Sequence, residues 1–162
     1  SQEAIQWAAG DSKLRSELEE ASRLLLIDGI VGRYCGEGAK ELFHVDNPRH
    51  AIRLLDFVSL HFDHDSVLPD TLALCEAFAH LSREDACSRI IQNAILRGHD
   101  ERCGDFLRTL YRKNVILAKA VFSRVVSFCV DVIEDGSVEI LKGSNRVDLH
   151  RKQCQEEVVL AT

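Results

Sequence analysis

The chain has 162 residues, with 20 basic and 26 acidic side chains and a formal net charge of −6. That length supports one domain with a real core, or a few units of a longer array. Hydrophobic residues at 46% and charged residues at 28% exclude a disordered chain, and the acidic balance argues against a duplex nucleic-acid binder, which carries a basic face.

Only two prolines, Pro48 and Pro69, interrupt the sequence, which favours helices over many short strands. Methionine is absent and the chain begins at Ser1, so a segment of a larger gene product is expected. The longest apolar run, Val115 to Ile133, is broken by Lys119, Arg124 and Asp131 and falls short of a membrane span. The six cysteines are scattered, and five lie in helical patterns. They read as reduced core residues of a cytoplasmic or nuclear protein rather than a disulfide framework.

Residues 12 to 28 have helical spacing, with Asp11 or Ser12 as cap and Leu14, Leu18, Ala21, Leu24 and Leu25 as the apolar stripe. Gly29 and Gly32 predict a break, then a loop carrying a short helix near Ala39 to Phe43. Asn47-Pro48 is a helix start, followed by Ala51, Leu54, Leu55, Val58 and Phe62. The next helix begins near Pro69, with Leu72, Cys75, Phe78 and Ala79 on one face and Leu81 near its end. Ser82 and Asp85 resemble a capping box ahead of Cys87, Ile90, Ile91, Ala94 and Ile95, and Gly98 stands where a helix closes.

Asp100 opens a further helix with Cys103, Phe106, Leu107, Leu110 and Tyr111 on one face and Asn114 as a left-handed stop. Residues 115 to 134 form the most apolar helix, expected to be the most buried, through Ala118, Val121, Phe122, Val125, Cys129, Val132 and Ile133. Asp135-Gly136 ends it. The stretch SVEILKG is ambiguous between strand and extended loop, and residues 145 to 160 pattern as a last helix, with Val147, Leu149 or His150, Cys154 and Val158. The fold class is therefore all-α, a single helical domain over residues 1–162 with 136–162 a less certain tail. Short connections predict antiparallel helix pairs stacked as an irregular α-solenoid segment, with a closed helical bundle as the alternative. No repeat signature of the ankyrin or tetratricopeptide kind is present.

Chemistry-bearing residues are few. In HFDHD, residues 61 to 65, His61 and His64 share a helical face and zinc accepts two histidines with a carboxylate such as Asp65. The stronger reading is the wet end of a helix, with histidines near its terminal carbonyls and aspartates in the turn. His99 lies four residues before Cys103, the spacing of a base and a nucleophile on one helix, but Cys103 falls on an apolar stripe where a thiol is inert. GRYCGEG lacks the strand and the Walker residues of a phosphate loop. A helical metal protein or enzyme using His61, His64 and Cys103, and a small helical adaptor, are the alternatives to a binding scaffold.

Arg97, Arg102, Arg108, Arg112, Lys113, Lys119 and Arg124 cluster among interleaved acids. They read as a solvated face or as the rim of a site for an acidic partner. Trp7 and Ile5 stand near the N-terminus with few large apolar neighbours, and tryptophan is a frequent interface anchor. Trp7, Arg108 and Arg112 are thus the candidate partner-binding residues. No catalytic, cofactor or metal residue is assigned, and no nucleic acid or small-molecule substrate is expected.

The stretches ASRLLLIDGIVGRYCGEGAKELF, NPRHAIRLLDFVSLHF and ILRGHDERCGDFLRTLYRKN, with VFSRVVSFCVDVIED, give residues 13 to 135 a resemblance to the Rod-like kinetochore subunits of the Rod–Zwilch complex. That family is similar in kind to α-solenoid subunits of vesicle tethers. The resemblance rests on helical pattern and wording. It implies a scaffold without an active site, working with other subunits in the spindle checkpoint, where the family's complex recruits dynein adaptors at unattached kinetochores.

Overall fold

A computed structural model describes residues 2–36, 39 and 47–134. The described residues are all-helical: α1 (Gln2–Cys35), α2 (Pro48–Leu60), α3 (Val67–Ala77), α4 (Arg83–Leu96), a 3-10 turn (Asp100–Arg102), α5 (Cys103–Lys113) and α6 (Val115–Glu134). The ends from residue 135 onward, including SVEILKG and the expected helix over 145–160, lie outside the described residues, as does all of the short helix expected near residue 39 except Ala39 itself.

Four of the local signals act as the sequence indicates. Asn47 Oδ1 accepts the Arg49 N–H at 3.0 Å and Pro48 occupies the first turn of α2. Ser82 Oγ accepts the Asp85 N–H at 3.0 Å and donates to Asp85 Oδ2 at 2.6 Å, closing the start of α4. Gly98 follows α4 with φ at +83°, the left-handed backbone that glycine adopts without a Cβ clash. The 3-10 turn starts at Asp100 and leads into α5.

Asn114 is a correction. Its backbone is extended, at φ −155° and ψ 99°, and its Oδ1 accepts the Leu117 N–H at 3.0 Å. It caps the start of α6 instead of stopping α5 in a left-handed conformation.

The first helix is the larger correction. It runs 34 residues, straight through Gly29 and Gly32, and stops at Gly36, where φ is +85°. A glycine inside a helix costs about 1 kcal/mol against alanine. The last third of α1 offsets that cost by burying Ile27, Ile30, Val31 and Tyr34 against the body. The expected stripe does not form a core: residues 2–25 are all exposed, Leu14 at 56%, Leu18 at 62% and Leu25 at 72%.

The body is built around α4, which packs against α6, α2, α3 and α5. Seven of its 14 residues are buried, including Cys87, Ile90, Ile91 and Ala94. Only four of the 20 residues of α6 are buried, Ala118, Val121, Val125 and Cys129. The most apolar helix is therefore not the most buried, because its hydrophobic residues circle the axis while α4 and α5 cover one side of it. Ala51, Leu54, Leu55 and Val58 of α2 and Leu74 and Phe78 at the end of α3 complete the core. Phe62, the inward residue of the turn between α2 and α3, stacks on Phe106 of α5, with ring centroids 5.5 Å apart.

Candidate functional site

Three groups of polar side chains stand out among the described residues of the body, each joining two helices. The first lies beneath the HFDHD turn. Asp70, in the first turn of α3, is buried at 9% exposure. The Tyr34 hydroxyl from α1 donates to Asp70 Oδ2 at 2.7 Å and lies 2.9 Å from Ser66 Oγ. Arg33 forms an ion pair with the same Asp70 oxygen. Burial, reinforced by the Asp70 carboxylate, pushes the Tyr34 hydroxyl up to about 12, so it remains a donor throughout the neutral range. Asp70 raises Arg33 through a hydrogen bond and its charge.

His61 and His64 roof this group. Their ring centroids are 5.5 Å apart and lie 5.7 and 6.5 Å from the Tyr34 ring. The turn brings them together as their spacing implies, yet they meet a tyrosine face. Among the described residues, no three His, Cys, Asp or Glu side chains group to hold a metal ion. Beside the turn, a cleft of about 170 Å³ is lined by His64, Asp65, Arg102, Asp105 and Phe106, and the Arg102 guanidinium crosses it to donate to the Asp63 carbonyl at 2.7 Å.

The second group clamps α2 to α4. Arg89 holds Asp56 with two hydrogen bonds, 2.8 and 3.0 Å, and Asn93 donates to the same carboxylate at 2.9 Å. Ser59 accepts from Asn93 at 3.2 Å and from Arg97 at 3.0 Å, and donates to the Asp56 carbonyl at 2.8 Å. The third joins α6 to the start of α4. Arg124 pairs with Glu84 at 2.6 Å and with Asp85. Ser82 and Arg124 together hold the Asp85 carboxyl below its ordinary range.

Three of the described cysteines have thiols held in the neutral form by burial. Burial pushes Cys75 up to about 11 and Cys87 up to about 12, and it raises Cys35 as well. Cys103 is 2% exposed, and its thiol donates to the His99 carbonyl at 3.7 Å. No disulfide joins the described cysteines, and Cys154 lies outside them.

Among the described residues, two apolar surfaces stand without cover. On α1, Trp7, Leu14, Leu18, Ala21 and Leu25 repeat at intervals of seven, four, three and four and so share one side of the helix. Trp7 is 83% exposed. Between α5 and α6 runs a groove of about 300 Å³ lined by Leu107, Arg108, Tyr111, Ala118, Lys119 and Phe122. Arg108 stands on this groove, paired with Asp105 one turn earlier, and Arg112 is exposed on the same helix. The candidate partner-binding residues thus fall on two surfaces, Trp7 on α1 and the arginines on α5.

Sequence reading missed the Tyr34–Asp70 and Asp56–Arg89 groups, whose members stand 36 and 33 residues apart. No local pattern joins such partners.

No family model matches the chain, and no curated protein or solved structure matches it.

Proposed function

We propose that the chain is a non-enzymatic helical scaffold that binds other proteins, one segment of an α-solenoid whose partners are subunits of a larger assembly. The observation that carries this reading is the first two-thirds of α1. A helix whose apolar side, Trp7, Leu14, Leu18, Ala21 and Leu25, no other described residue covers gains stability when another helix packs on it. The supporting observation is that the Tyr34–Asp70, Asp56–Arg89 and Arg124–Glu84 groups spend their hydrogen bonds and ion pairs on joining helices. The resemblance of residues 13 to 135 to Rod-like kinetochore subunits makes a cytoplasmic or kinetochore-associated assembly of the dividing cell the first place to look.

The test is affinity purification of the protein from dividing cells, beside the variant L14Q/L18Q/L25Q. Glutamine keeps the helix propensity while removing the stripe. Stoichiometric recovery of kinetochore or vesicle-tether subunits with the native protein, lost in the variant, is expected. Recovery of the protein alone would overturn the reading.

A further inference from the structure

The groove between α5 and α6 combines an apolar floor with a basic rim. Leu107, Tyr111, Ala118 and Phe122 form the floor, and Tyr111 at 51% and Phe122 at 37% stay accessible. Arg108 and Lys119 line the same groove, one from each helix. In a chain of net charge −6, residues 103 to 120 carry four cations, Arg108, Arg112, Lys113 and Lys119, against the single carboxylate of Asp105. That carboxylate is already taken by Arg108. Among the described residues, Arg112, Lys113 and Lys119 have no ion-pair partner.

We propose that this groove receives an amphipathic helix of a partner protein whose apolar ridge is flanked by carboxylates. The proposal rests on the scaffold reading and adds the chemistry of one partner. A groove between two helices matches the ridge of a third, and anchors at helical spacing would meet Phe122, Tyr111 and Leu107 in turn. Carboxylates on either side of that ridge would meet Arg108 and Lys119, giving the interface its orientation. Nucleic acid is the poorer occupant, because the groove itself carries two cations, Arg108 and Lys119, where a phosphate track needs a continuous run of them.

The test uses fluorescence anisotropy with the full 162-residue chain. The probe is a labelled helical peptide with leucine at i, i+3, i+4 and i+7 and glutamate on both flanks. A second peptide carries lysine at every glutamate position. Phosphatidylserine vesicles and a single-stranded oligonucleotide are the other competitors. The glutamate peptide is expected to bind about tenfold more tightly than the lysine peptide, and R108E/K119E to reverse the order, with thermal unfolding unchanged. Absence of binding by the glutamate peptide, equal affinity for both peptides, or a preference for vesicles or oligonucleotide would each overturn the proposal. If the peptides fail while L14Q/L18Q/L25Q still loses co-purifying subunits, the groove proposal falls and the scaffold reading stands.

Discussion

The Tyr34 hydroxyl donates to Asp70 Oδ2 at 2.7 Å and so fastens the buried end of α1 to the first turn of α3. Its neighbours Ser66 and Arg33 complete the tie. Tyr34→Phe removes a hydrogen bond to a charged acceptor and is expected to cost about 1.5–3 kcal/mol in urea unfolding. A loss below about 0.5 kcal/mol, within the range of ordinary surface changes, would show that the tie contributes little.

The same tyrosine sets an alkaline limit. Its folded value, about 12, lies above the ordinary 10.0, so the unfolded chain releases this proton first as pH rises. Its contribution to stability is complete below pH 10 and is lost progressively towards pH 12. Unfolding free energy measured against pH should fall less steeply across that window in Tyr34→Phe than in the native protein. Parallel curves would contradict the assignment.

Ser88 bears on the core directly. It is 3% exposed, and its hydroxyl has no hydrogen-bond partner among the described residues. Removing a buried, unsatisfied hydroxyl relieves a desolvation penalty. Ser88→Ala should therefore match the native protein or exceed it by up to about 1 kcal/mol in urea unfolding. Marked destabilisation would mean that the hydroxyl is satisfied.

The two leucine populations should separate cleanly. Leu54, 0% exposed on α2, is expected to lose about 2–5 kcal/mol on substitution by alanine. Leu18, 62% exposed on α1, is expected to change by less than about 0.5 kcal/mol. Thermal melts of L54A and L18A decide this. Comparable losses would place the α1 stripe inside the fold.

That contrast also marks how far the sequence is legible. Local signals are self-contained, so Asn47-Pro48, Ser82–Asp85 and Gly98 can be read directly: each is set by a few adjacent atoms. The stripe on α1 has the same periodicity as a core-facing stripe, and periodicity reports that a face is apolar without reporting what covers it. Gly29 and Gly32 mislead for the opposite reason, since burial of Ile30 and Val31 from other elements overrides local propensity. His61 and His64 are correctly read as neighbours. Their companion Tyr34 comes from a helix about 30 residues earlier and leaves no mark near HFDHD.

Hydrogen exchange of residues 2–25 tests the central claim most directly. The chain alone should exchange these amides far faster than those of α4, since one helix without tertiary cover opens easily. On the scaffold proposal, the same residues should become protected when the protein is isolated from cells together with co-purifying proteins. Equal exchange in the two samples would mean that the apolar side of α1 is not where this protein meets its partners.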